Sequence, residues 1–233
     1  MKVHAVLPCP MPRPRIDAPV RTGTRLCAAL ALLLGSVAQS NDDLLLKSAA
    51  GVNEGQLHFL VTQPDKPVHH HQNRIVIAPD SLDTGWVSLR QCHDNLDAVP
   101  RAQITFREGF VRDLRVDSSR GVAEAWVDGP SIQLRQIGPG SQLCLSAQTR
   151  ALRDTGGGYF NLNNGPYMRK FLDGYYPMRV TLDVDYPPAM LRLVDISPQM
   201  TPGLSLQEAP GRVHVDALFE GELRTLIQFS RPD

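Results

Sequence analysis

Residues 85–93 read GWVSLRQCH, and residues 140–148 read GSQLCLSAQ. In both stretches apolar and polar side chains alternate: Val87 and Leu89 against Ser88 and Arg90, then Leu143 and Leu145 against Gln142 and Ser146. A period of two sends successive side chains to opposite faces of a strand. Runs of the same kind lie between them, at 103–106, 111–116, 122–127 and 132–137. Turn residues close them: Glu108-Gly109, Asp117 to Gly121, Asp128-Gly129-Pro130 and Gly138-Pro139-Gly140. Short strands with turn signals at this spacing predict an antiparallel β-sandwich or barrel. We therefore expect a mainly β protein, an antiparallel β-sandwich of which the immunoglobulin arrangement is one form, with one short helix.

Each of the two quoted stretches carries a cysteine. Cys92 and Cys144 are the only cysteines outside the first 40 residues, where Cys9 and Cys27 lie. Two cysteines in an exported chain usually pair. Closing the loop between them stabilises the fold by ~4 kcal/mol on the chain-entropy view. Cys92 has the parity of Ser88 and Arg90, and Cys144 that of Gln142 and Ser146. Both leave the aliphatic face, so the disulfide belongs within one sheet or through a loop rather than between two sheets. A Cys-His metal site using Cys92-His93 is the alternative.

Export itself is read from the N-terminus. Residues 26–35 read LCAALALLLG, preceded by Lys2, Arg13, Arg15, Arg21 and Arg25 and followed by small residues spaced as at a signal-peptidase site. This is the pattern of a secretory signal peptide over 1–40. The apolar run is too short to span a bilayer. Removing 1–40 takes away five of the 24 Lys+Arg and one of the 24 Asp+Glu, leaving a net charge of −4. A mildly acidic chain argues against a nucleic-acid partner. The expected localisation is periplasmic or secreted, with no transmembrane segment in the mature chain.

Residues 41–66 are expected to pack as an N-terminal segment on a single β-rich domain over 67–233. The segment holds a short helix at 41–50, capped by Asn41 or Asp42, and a strand from Leu57 to Val61. Further on, Pro166 and Gly174 bracket a short helix, PYMRKFLD. Met178, Val180, Leu182, Val184 and Tyr186 then alternate with polar residues as a clear strand. A strand from Leu191 to Ile196 follows, and a last hairpin joins 212–219 to 222–229 through Glu220-Gly221.

Two clusters are candidates for function. His69, His70 and His71 stand together, and His69 and His71 share a face if the segment is extended. With His93 they could hold copper or zinc, because neutral imidazole suits both. No HExxH or CxxC spacing supports a closed site. The alternative is a solvated segment between Pro67 and a strand starting at Arg74. Tyr159, Phe160, Tyr167, Phe171, Tyr175 and Tyr176 gather within 18 residues among Gly, Asn and Pro, with Arg169 and Lys170 between them. Tyrosines on a Gly/Asn-rich loop make a contact surface, since each offers apolar area and a hydroxyl.

Catalytic patterns are absent. No serine lies in GxSxG, and Gly156-Gly157-Gly158 lacks the following Lys-Ser/Thr of a phosphate loop. The resulting expectation is a non-catalytic binding or assembly protein of the periplasm or cell envelope, with no cofactor called for. A protein partner would meet Tyr159, Phe160, Tyr167, Arg169, Tyr175 and Tyr176. The alternatives are a metal-binding protein using His69, His71 and His93, and, behind it, a hydrolase whose site assembles in space.

Overall fold

The clearest alternation in the sequence becomes the middle of the larger sheet. In β12 (Met178–Asp185) Met178, Val180, Leu182 and Val184 are buried while the residues between them are partly exposed. On one side β12 pairs in parallel with β3 (His69–Val76), and on the other it pairs antiparallel with β15 (Arg212–Glu220). The computed structural model describes residues 2–5 and 53–232.

The full order of this sheet is β1-β5-β7-β4-β3-β12-β15-β14. Here β1 is Lys2–Ala5, β4 Val87–Asp94, β5 Arg101–Thr105, β7 Ser131–Thr149 and β14 Leu204–Ala209. Two further strands join it: β2 (His58–Phe59) pairs with β15, and β6 (Val111–Asp128) with β7. A second sheet runs β13 (Arg192–Ser197), β16 (Leu223–Ser230), β9 (Tyr159–Tyr167), β8 (Leu152–Gly156). Val180, Leu182, Val184, Val213 and Val215 of the large sheet share one apolar cluster with Phe160, Leu162, Ile227 and Phe229 of the small one. Two sheets facing across a common core are a sandwich. Fully burying one such side chain contributes roughly 1.5–3 kcal/mol. A separate cluster, with Ile104, Ile132, Leu134, Leu143 and Leu145, lies on the β5 and β7 part of the large sheet.

Cys92 and Cys144 are bonded to each other. They stand directly opposite in the β4–β7 ladder with Cα atoms 4.1 Å apart, so the bridge lies within one sheet. Immunoglobulin domains instead place theirs between sheets.

Several expectations are corrected. The expected turn at Asp117 to Gly121 does not break the strand: β6 runs unbroken from Val111 to Asp128 and absorbs the extra residues as register shifts, the last between Arg120 and Val122. Bulges do this on one strand without ending it. Gly138-Pro139-Gly140 likewise lies inside β7. Along one edge β7 pairs with β5 at 131–135 and with β4 at 142–149, so Pro139 falls between the two ladders. A residue without an N–H is tolerated there.

The segment 166–173 is not helical. β9 continues to Tyr167, which pairs with Leu223, and β10 (Lys170–Phe171) folds back on β11 (Gly174–Tyr175). Eight residues cannot offset the cost of nucleating a helix alone, and the ladder to β16 gives this backbone other partners. The one helix among the described residues is α1 (Ser81–Thr84), ended by Gly85 in the left-handed region at φ 76°.

The expected terminal hairpin is also replaced. β15 and β16 are consecutive but belong to different sheets. The chain crosses between them at Gly221, where φ is +91° and an added Cβ would lie 2.0 Å from the Gln56 carbonyl oxygen. The alternation predicts strands; which sheet each joins is set by its partners, β12 and β14 for β15, β9 and β13 for β16. The histidine run is not a solvated linker either, because it opens β3. Of the strand expected at 57–61, His58–Phe59 is paired, with Glu220 and Phe219. The helix expected at 41–50 lies outside the described residues, as does the signal peptide apart from Lys2–Ala5, which runs antiparallel to β5. No helix among the described residues is long and apolar enough to cross a membrane.

Candidate functional site

β3 and β4 are antiparallel neighbours, with His71 opposite His93 and Asn73 opposite Gln91. The period of two turns His69, His71 and Asn73 of β3, and Gln91 and His93 of β4, to the buried face. All five are buried, His93 completely. Tyr167, at the end of β9 in the small sheet, closes the group from across the sandwich and is itself 5% exposed. Its approach depends on Gly165, whose φ is +96° and whose missing Cβ would lie 2.7 Å from the Leu223 carbonyl oxygen.

Polar side chains at this depth need partners, since each unsatisfied donor or acceptor costs about 1–3 kcal/mol. They have them. Nε2 of His69 lies 2.9 Å from Nδ1 of His93, and Nε2 of His93 lies 2.5 Å from Nε2 of Gln91. An amide nitrogen can only donate. Gln91 therefore donates to Nε2 of His93, whose proton sits on Nδ1 and is donated in turn to Nε2 of His69. In the second branch Asn73 donates through Nδ2 to the Tyr167 hydroxyl oxygen at 3.1 Å. Its Oδ1 accepts from Nε2–H of His71, also at 3.1 Å. The rings stack as well: centroids of His71 and His93 are 4.4 Å apart, those of His69 and His93 5.2 Å. Tyr167 meets His71 edge-on at 5.0 Å.

This environment keeps the imidazoles neutral. Burial, with a smaller contribution from nearby Arg169 opposed by Asp97, lowers His69 to about 4. Burial and neighbouring His69 lower His71 to about 3. His93 is also pushed well below 6.5, by burial first and then by His71 and His69. Burial raises the Tyr167 phenol far above its ordinary value of 10, so it keeps its proton. The period of two puts His69 and His71 on one face; that His93 joins them follows from the β3–β4 ladder, and the burial of that face is not visible in the sequence, because histidine and amide side chains do not read as core.

The three histidines expected as metal ligands are thus brought together, but as a hydrogen-bonded stack. Two imidazole nitrogens on one tetrahedral zinc lie roughly 3.4 Å apart; the 2.9 Å between His69 and His93 is a hydrogen bond. Among the described residues no group of three or more His, Cys, Asp or Glu is arranged to hold a metal ion. Cys92, in its disulfide, offers no thiolate.

A cleft of about 730 Å³ opens beside the stack. Asn73, Gln91, Tyr167 and Asn164 line its polar side, Leu89, Leu152 and Phe160 its apolar walls, and Arg107, Arg150 and Arg153 are exposed residues of its lining. None of these clefts and walls has a local sequence signature, because the lining comes from β3, α1, β4, β5, β7, β8, β9 and the loops joining them.

The tyrosine-rich segment is divided by the fold. Phe160 and Tyr167 are core residues, and Tyr159 is 52% exposed. Arg169 is bound to Asp97 through both its Nε and Nη2 and lies over the rings of Phe171 and Tyr176. Tyr175 is partly buried and meets Lys170 at 5.0 Å, while Tyr176 donates to Asp173 at 2.5 Å. Leu172, at the tip of the β10–β11 turn, is 93% exposed. No histidine among the described residues hydrogen-bonds both a serine and an acid; His214 meets Asp183 at 3.0 Å without a serine.

The sequence matches no protein-family model and no curated protein. Among solved structures the chain is similar to a two-domain M1 zinc metallopeptidase bound to L-tryptophan, at 12% identity and a TM-score of 0.37, over 76% of this chain and 44% of that one. It is similar, at 11% identity and the same TM-score of 0.37, to a putative nutrient binding protein from Legionella pneumophila, over 76% of this chain and 70% of that one. The chain spans less than half the length of the metallopeptidase chain it matches.

Proposed function

We propose that this is a non-catalytic binding protein of the periplasm or cell envelope, and that its ligand enters the cleft between the two sheets. The observation that carries the reading is the polar floor. Asn73, Gln91 and Tyr167 line the cleft and are held from behind by the histidine stack. Apolar residues of similar size would fill such a core at least as stably. A concave site with apolar walls and a few fixed polar groups is the usual form of a small-molecule site. Export is supported by the basic and apolar leader pattern of the sequence and by the disulfide, which suits an oxidising compartment. A protein partner of the tyrosine-rich segment would meet its exposed part, Tyr159 and Leu172.

The test is a thermal-shift screen of defined small molecules against the wild type and Asn163→Trp. Asn163 is exposed and lines the cleft, so the substitution obstructs it while leaving the core intact. A ligand present at 100 times its Kd stabilises by about 2.7 kcal/mol. Hits that vanish in Asn163→Trp support the reading. Hits that stabilise both proteins equally overturn it.

A further inference from the structure

We propose that the cleft is built for a carboxylate-bearing small molecule with an apolar body; this rests on the cleft being the ligand site. The direction of the hydrogen bonds is the first argument. The Tyr167 oxygen accepts from Asn73, so its own proton is left to give, and among the described residues no acceptor takes it. Asn164 lines the same cleft, and its Nδ2 is buried without a hydrogen-bond partner. Two residues of the cleft lining therefore carry donors that are short of acceptors. A buried donor left unpaired is costly, and an oxygen-bearing ligand relieves that cost at both positions. Donor pairs facing a carboxylate form the stronger, charge-assisted kind of bond.

The charges around the cleft are the second argument, and they are independent of the first. Arg107, Arg150 and Arg153 all line it. None of them forms an ion pair with an acid among the described residues, whereas Arg169 and Arg179 are held by Asp97 and Asp216. Of the two acids in the lining, Asp83 and Asp154, the second already accepts from the Gly156 amide within its own turn. Arg107 stacks on the Phe110 ring at 4.1 Å, but guanidinium groups without a carboxylate partner around a half-enclosed cleft attract anions and suit carboxylates in particular. The third argument is the apolar part of the lining. Leu89, Leu152 and Phe160 are buried aliphatic and aromatic side chains, which suit an apolar body next to the charged end.

The probes are N-acetyl-leucine and its uncharged amide, N-acetyl-leucinamide, which have the same shape. Binding to the disulfide-bonded mature chain is followed by isothermal titration calorimetry at low salt. The expected result is that the acid binds at least about tenfold more tightly than the amide, as loss of a charge-assisted hydrogen bond implies. Tyr167→Phe keeps the ring and should weaken the acid by about tenfold through loss of the donor. Arg150→Gln, at an exposed position, should weaken the acid and leave the amide unchanged. Equal or tighter binding of the amide, still blocked by Asn163→Trp, overturns the carboxylate while the cleft survives. Binding that Asn163→Trp does not affect overturns both. No binding of either probe at millimolar concentration also overturns the carboxylate proposal.

Discussion

Acidification from pH 7 to pH 5 should destabilise this protein steeply, and the cause should be the histidine stack. His69 and His71 are buried neutral, at about 4 and about 3, against an ordinary value of 6.5 in the unfolded chain. Below pH 6.5 the unfolded chain therefore binds protons that the folded one refuses. Stability is complete above that value and is lost as pH falls towards the folded values. Each pKa unit corresponds to about 1.36 kcal/mol, so each of these two histidines removes about 2 kcal/mol between pH 7 and pH 5. His93 and the half-buried His70, both lowered chiefly by burial, act with the same sign. Asp97 and Asp94, which favour a charged His69, and Arg169, which disfavours it, are the charged neighbours of the stack. The lowered carboxylates Asp183 and Asp216 do not contribute in this window, because their ordinary value is 3.8. A loss of about 4 kcal/mol is a large part of the 5–15 kcal/mol that holds a typical domain. Guanidinium unfolding at pH 7, 6 and 5 measures it. His69→Gln keeps an acceptor for His93 and should flatten the curve by about 2 kcal/mol over the same range. A wild type that loses under about 1 kcal/mol would refute the buried, neutral stack, and so would a His69→Gln curve parallel to it.

Three further outcomes are expected. Cys92→Ser with Cys144→Ser should cost up to ~4 kcal/mol in the same unfolding assay, and the denatured, unreduced wild type should show no free thiol between those positions. Gly221→Ala should destabilise by more than about 1 kcal/mol, because its Cβ would collide with the Gln56 carbonyl; an unchanged midpoint would remove the crossing argument. Phe229→Ala, deep in the shared core, should cost about 3–5 kcal/mol.

Much of the fold was legible where one residue's neighbours decide its state. The Met178 strand was plain from alternation, because one face is buried along its whole length. The parity of Cys92 and Cys144 points to a bridge within one sheet or through a loop, and the β4–β7 ladder shows the first. What could not be read depends on distant segments. The strands at 212–220 and 223–230 alternate equally well, but their separation into two sheets depends on partners far along the chain, β12 for the first and β9 for the second. The polar residues 117–121 look like a turn, and only the partner strand β7 keeps them extended. At the site, the period of two puts His69 and His71 on one face, and only the pairing of β3 with β4 brings His93 to them. Tyr167, which completes that group from the opposite sheet, falls inside the helix expected over 166–173, because Pro166 and Gly174 imitate its ends.

The place of β16 in the small sheet has a consequence for the order in which the molecule can be completed. β9 and β13 each pair with β16 and not with one another. Until residues 223–230 emerge, both strands present open edges to the same gap, and the wall formed by Phe160 and Leu162 has no neighbour there. β16 is the keystone of the small sheet: in chain order it follows β8, β9 and β13, and it alone joins β13 to the β9–β8 pair. A chain interrupted before Leu223 would not be a slightly shorter protein. It would have a small sheet split between β13 and the β9–β8 pair, with two open strand edges, a form exposed to aggregation and proteolysis.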